Sequence, residues 1–201
     1  MDGLVIVLVV VVAAAVGALV AGLVLRKRRQ KPPQPPSPKD PFADDDHHAV
    51  YGDPRALKAG DLVELRGVSY SVRGSLRCDE GGWTWSEHLL ETAAEERVWL
   101  SVEEDPDLVM VAWTEVDTEL TPGAKELTVD GLAYRSDEKG AATFRTEATT
   151  GLKDGSVRYH DYKAGGGKRL SFESYGDAPW EASTGERLST YDVKIFPAAT
   201  A

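Results

Sequence analysis

Residues Leu4 to Leu25 form 22 consecutive positions of Leu, Val, Ile, Ala and Gly with no charge among them. As a helix at about 1.5 Å per residue the run is roughly 33 Å long, the thickness of a bilayer's hydrocarbon core. A helix apolar on every side has no polar face to offer water, so the run predicts a membrane span. Only Met1-Asp2-Gly3 precedes it, whereas Arg26, Lys27, Arg28 and Arg29 follow it directly. A secretory signal has the opposite charge order and a shorter apolar run. The basic cluster is retained in the cytoplasm by the positive-inside rule. The expected topology is a cell-membrane protein with residues 1–3 outside, a single span at 4–25 and everything after it in the cytoplasm.

Small residues recur every fourth position at Ala13, Gly17, Ala21 and at Ala14, Ala18, Gly22. Such seams let a second helix approach closely, so a helix-mediated homodimer stands beside a monomeric tether. Residues 26–50 read as a linker. Pro32, Pro33, Pro35, Pro36, Pro38 and Pro41 favour an extended polyproline spacer, and Asp44-Asp45-Asp46-His47-His48 forms an acidic hinge with nothing to fix a metal's geometry.

Charge separates along the chain. Residues 1–43 hold six basic and two acidic side chains, leaving 17 basic and 31 acidic for the remainder. A domain so acidic repels a phosphate backbone and an anionic lipid surface, which argues against nucleic acid as a partner. The lone cysteine, Cys78, has no partner for an intramolecular bridge and suits a reducing compartment.

Residues 51–197 carry strand signals, and 198–201 read as a disordered tail. Val68-Ser69-Tyr70-Ser71-Val72, Val98 to Glu103, Arg169 to Glu173 and Tyr191 to Ile195 alternate apolar with polar. Gly81-Gly82, Asp130-Gly131, Lys139-Gly140, Asp154-Gly155, Gly165-Gly166-Gly167 and Thr184-Gly185 punctuate them as turns. Only Ala56-Leu57-Lys58 and Glu91 to Glu96 look briefly helical. The expected fold is mainly β, an antiparallel meander of about 8–10 strands forming a sandwich or a partly open barrel. Gly67-Val-Ser-Tyr70 is echoed by Gly131-Leu-Ala-Tyr134, and Leu100-Ser-Val-Glu103 by Leu170-Ser-Phe-Glu173. The echoes suggest two duplicated halves, 57–120 and 121–197.

Alternation places Trp83, Trp85, Glu87 and Leu89 on one strand face, with Thr84, Ser86, His88 and Leu90 on the other. The tryptophans suit a core or the wall of a groove. Ser101, Glu103, Ser171 and Glu173 point away from their strands' apolar faces. In a sandwich that means water, whereas in a barrel it aims two carboxylates inward as a binding or acid/base pair. Trp83, Trp85, Glu87, Glu103 and Glu173 are therefore the ligand-binding candidates. His88 and His160-Asp161 are the only histidine sites in this region, but no nucleophile elbow, zinc motif or phosphate loop accompanies them, and Gly165-Gly166-Gly167-Lys168 reads as a hairpin turn.

The ordered set Gly60-Asp61, Gly67-x-x-Tyr70-x-Val72-x-Gly74, Trp85-Ser-Glu87-His88-Leu89-Leu90, Trp99-Leu100 and Leu170-Ser-Phe172-Glu173 resembles the bacterial family known as domain of unknown function 4178, over about Leu57 to Phe196. The family usually has an aromatic residue where this chain has His88. The resemblance carries no catalytic residues or cofactor, and implies association with membrane proteins and envelope stress. The function expected is a non-enzymatic adaptor that meets a protein partner at the inner membrane face. Binding of a small molecule or lipid in an aromatic-walled groove is the alternative, and a hydrolase using His160, Asp161 or a carboxylate pair comes third.

Overall fold

The computed structural model describes residues 51–104 and 106–198. The expected membrane span, the basic cluster Arg26–Arg29, the linker and Asp44–His48 lie outside the described residues. Among the described residues no helix is long and apolar enough to cross a membrane.

Eleven strands follow one another: β1 (Leu62–Leu65), β2 (Val68–Glu80), β3 (Trp83–Glu91), β4 (Arg97–Glu104), β5 (Leu108–Glu115), β6 (Glu126–Val129), β7 (Leu132–Ala148), β8 (Gly155–Lys163), β9 (Lys168–Tyr175), β10 (Glu181–Leu188) and β11 (Val193–Phe196). Their order in the sheet is β11-β1-β2-β3-β4-β5-β10-β9-β8-β7-β6. An antiparallel pairing of Gly74–Asp79 with Thr143–Ala148 joins β2 to β7 and closes eight strands into a barrel. The open choice between sandwich and barrel thus resolves to a barrel. Three further strands flank it.

The two halves have matching topology. Strands β1 to β5 and β6 to β10 are each a five-stranded antiparallel meander, and the halves meet through β2–β7 and β5–β10. Both sequence echoes fall on strands in corresponding places: Gly67–Tyr70 and Gly131–Tyr134 enter β2 and β7, and Leu100–Glu103 and Leu170–Glu173 lie in β4 and β9. Gly81-Gly82 and Asp130-Gly131 both adopt positive φ at two consecutive residues, as tight hairpins require. Arg66-Gly67 does the same, although arginine gives no sequence hint of it.

Two expected helical pieces differ. The helical turn is a 3-10 segment at Pro54–Ala56, two residues earlier than expected, started by Asp53 accepting the Arg55 N–H. Glu91–Glu96 is the end of β3 and a turn, in which Thr92 Oγ1 accepts the amides of Ala94 and Glu96 and Glu95 takes a φ of 64°. A side chain competing for backbone amides displaces the helix there.

The large aliphatic residues pack on the outside of the barrel wall. Val72, Leu90, Leu100, Val102 and Met110 pack with Leu57, Val63, Leu65, Val193 and Ile195, so β1, β11 and the 3-10 turn cover one side. Tyr134, Tyr162, Leu170, Phe172 and Ala182 pack with Leu127 and Val129 of β6 and with Trp180 on the other. A third cluster, Leu76, Cys78, Ala142, Phe144 and Val157, fills the interior next to β2 and β7. Because the flanking strands supply an outer core, the rest of the interior is released from having to be apolar.

A candidate ligand cavity inside the barrel

Cross-strand partners share a sheet face, so the register identifies what points inward. Glu87 stands opposite Leu76 and Ser101, and Ser101 opposite Val111. Around the other half, Ser183 stands opposite Ser171, Ser171 opposite Asp161, and Asp161 opposite Glu138. All of these but Leu76 ring a cavity of about 220 Å³ that opens to solvent. Trp83, Trp85, Trp99, Trp113 and Tyr159 supply its aromatic wall, and Glu87, Glu103, Asp137, Glu138, Asp161 and Glu173 its carboxylates. Arg169 is the one cationic side chain in the described lining.

All five sequence candidates, Trp83, Trp85, Glu87, Glu103 and Glu173, line this cavity. The tryptophans form its wall and mouth, and Trp83 is 40% exposed. Ser101 and Ser171 turn inward with their glutamates, as the barrel arrangement requires. Sequence reasoning missed Trp99, Trp113, Tyr159 and the inward role of Asp161. The alternation that placed Ser101 and Glu103 on the face away from Leu100 already put Trp99 with them.

The wall is held in place by its polar atoms. Trp83 Nε1 donates to Glu103 Oε1 at 2.8 Å, Trp85 Nε1 to Glu87 Oε1 at 2.9 Å and Trp113 Nε1 to Ser101 Oγ at 2.9 Å. Trp85 meets Tyr159 edge to face with ring centres 5.8 Å apart, a contact between strands that are not neighbours. Tyr159 in turn donates to Glu80 at 2.5 Å. Trp113 lies over Gly185, where a Cβ would sit 2.5 Å from the indole. Glycine is the side chain that lets this ring lie flat on β10.

Electrostatically the cavity has too few cations for its carboxylates. Burial pushes the Asp161 carboxyl up to about 7, opposed by the Ser171 hydroxyl that donates to it at 2.5 Å and reinforced by Glu138, Glu87 and Asp137. Burial also raises Glu87, which the Trp85 N–H partly offsets. Glu173 rises well above the usual carboxylate range through burial and then the charge of Glu87, although Tyr175 donates to it at 2.9 Å. Desolvation and mutual repulsion therefore act together on these carboxyls.

Neither histidine of the barrel takes part. His88 and His160 alternate with Glu87 and Asp161 and so lie on the outer face. His88 is fully buried, shares a 2.8 Å hydrogen bond through Nδ1 with Ser75 and leaves Nε2 without a partner; burial lowers it to about 3. His160 bonds Ser136 at 2.8 Å and stacks on Tyr162 at 4.5 Å. His160 and Asp161 alternate along β8, so this ring and this carboxylate turn to opposite faces, while the carboxylates of the hydrolase expectation share the cavity lining. Cys78 is 3% exposed in the interior apolar cluster, and burial raises its thiol. Gly165–Gly167 is the short turn from β8 to β9, as its sequence suggested.

Fold and site together define a closed antiparallel barrel with an acidic, aromatic-walled cavity. The chain belongs to the family described as Domain of unknown function (DUF4178), whose model matches residues 58–190. It is 37% identical over 154 residues to uncharacterized proteins of Mycobacterium bovis and Mycobacterium tuberculosis, covering 72% of this chain and 74% of each relative. No solved structure matches it.

Proposed function

We propose that the domain is a ligand-binding barrel, held at the cytoplasmic face of the membrane by Leu4–Leu25, that takes one small molecule into its interior cavity. The observation that carries this reading is the lining itself: four of the chain's five tryptophans and six carboxylates converge on one space although ample aliphatic core lies elsewhere. Ligand sites are concave, with apolar and aromatic walls and a few placed polar groups. At about 220 Å³ the cavity is smaller than the roughly 300–1,000 Å³ of drug-sized sites, so the guest is small. The adaptor role expected from the anchor and spacer follows if the barrel reports its occupancy to a protein partner.

The fifth tryptophan, Trp180, packs in the outer cluster beneath Arg158 and serves as an internal control. In indole N–H spectra of the full-length chain in detergent, titrated with a small-metabolite library, hits shift the Trp83, Trp85, Trp99 and Trp113 signals and leave Trp180 in place. A library that moves none of the four, or moves Trp180 equally, refutes the reading.

A further inference from the structure

The lining of this cavity specifies the charge of its guest. Six carboxylates face it against one guanidinium, and the Arg169 N–H donates to the backbone carbonyl of Lys168 at 3.3 Å. Glu87 is 8% exposed, with one carboxylate oxygen taken by Trp85. Four indoles and a phenol surround these groups, and aromatic faces attract cations in a desolvated site. An anionic guest would meet six carboxylates and a single guanidinium. A neutral apolar guest would gain nothing from the six carboxyl groups that face it.

A bare metal ion is not the better occupant. Among the described residues no three His, Cys, Asp or Glu side chains are grouped to hold one. The carboxylates are spread around the wall, and Glu87, Glu103, Asp161 and Glu173 each accept from a different donor, which suits a guest whose positive charge is dispersed over a carbon framework. Such a guest is an amine or quaternary ammonium ion small enough for about 220 Å³.

We infer that the cavity binds a small organic cation, with Trp85 and Trp113 contacting its apolar shell and Glu87, Asp161 and Glu173 compensating its charge. The inference rests on the ligand-binding reading and adds the guest's chemical class. It also gives binding a second signature: a cation arriving among carboxylates that retain protons displaces some of them, so binding releases protons near neutral pH.

The test compares choline with dimethylbutanol, the uncharged analogue in which carbon replaces the ammonium nitrogen, by calorimetry on the full-length chain in detergent. Buffers of different ionisation enthalpy report the protons released. Choline is expected to bind at least about tenfold more tightly, a preference within the range of cation–π attraction in desolvated sites, and to release protons while the alcohol releases none. The double variant E87Q/E173Q keeps acceptors for the Trp85 and Tyr175 donors but removes two groups that can ionise against a bound cation. It should lose choline affinity by at least about tenfold and bind the alcohol as before, so the alcohol doubles as a check that the barrel is folded. Equal or tighter binding of the alcohol, or choline binding indifferent to E87Q/E173Q, overturns the cation assignment while leaving a ligand-binding barrel. Binding of neither overturns the cation assignment, and the indole titration then decides the ligand-binding reading on its own.

Discussion

Replacing Asp161 with asparagine should make the protein more stable at pH 8, although it removes a charged, hydrogen-bonded residue. The Asp161 carboxyl moves from 3.8 to about 7 on folding, because burial opposes its ionisation. An acid raised on folding binds more protons in the native than in the unfolded state between those two values, so stability is greatest below pH 4, falls as pH rises and levels off above pH 7. Three units at about 1.4 kcal/mol each give an upper bound of about 4 kcal/mol at pH 8, of which about 2–3 kcal/mol develops between pH 5 and pH 7. The amide oxygen in D161N still accepts the Ser171 hydroxyl, so the variant removes the charge and retains that hydrogen bond. Denaturant unfolding of the full-length chain in non-ionic detergent, followed by tryptophan emission at pH 5, 6, 7 and 8, reads the difference. Wild type should lose stability across the series, equivalent to about 5–10 °C in Tm, and D161N should lose less by about 2–3 kcal/mol. Parallel pH slopes for the two proteins, or a D161N that is less stable than wild type at pH 8, would show that burial of this carboxylate does not set the pH dependence.

Three other outcomes follow from the same geometry. Ser75→Ala leaves the buried His88 ring without its one hydrogen bond and should cost about 1–3 kcal/mol in denaturant unfolding, a loss that the double variant S75A/H88F recovers by removing both polar groups. Gly185→Ala drives a methyl group into Trp113, so it should destabilise the barrel by about 1–3 kcal/mol and shift the emission maximum as the indole leaves Ser101. Cys78, buried with a raised thiol, should react with a thiol reagent at native pH only as fast as the barrel opens, and the rate should rise with denaturant.

The strand faces were legible because a period of two survives whatever the sheet does. Val98 to Glu103 separates Leu100 and Val102 from Trp99, Ser101 and Glu103, and the register keeps them apart. Which face turns inward was not legible, since it depends on closure by pairing Gly74–Asp79 with Thr143–Ala148, residues far apart in the chain. Leu100 and Val102 read as core and are core, but the core of the barrel's outside, under β1 and β11. Strand β7 was the least readable element. Its Arg135–Lys139 segment is polar on both faces, and Gly140-Ala141-Ala142 carries no β-branched residue, so neither periodicity nor propensity marks 17 residues of strand. Asp161 was named only with His160, as part of a hydrolase alternative, while its register with Ser171, the echo of Glu87 with Ser101, gives its place in the site. The echo of Leu100–Glu103 in Leu170–Glu173 was thus the most informative sequence signal, because it linked two inward faces before any pairing was known.

Whether the barrel holds an organic cation is answered most plainly by a crystal structure of the chain grown with about 10 mM choline, in the range where weak cation–π sites fill. One ordered guest is expected inside the barrel, its ammonium group bounded by Trp85 and Trp113 and facing Glu87 and Glu173, with the indole hydrogen bonds to Glu87 and Ser101 intact. Tryptophans collapsed into a closed interior with no guest, or density for the cation only on the outer surface, would contradict it.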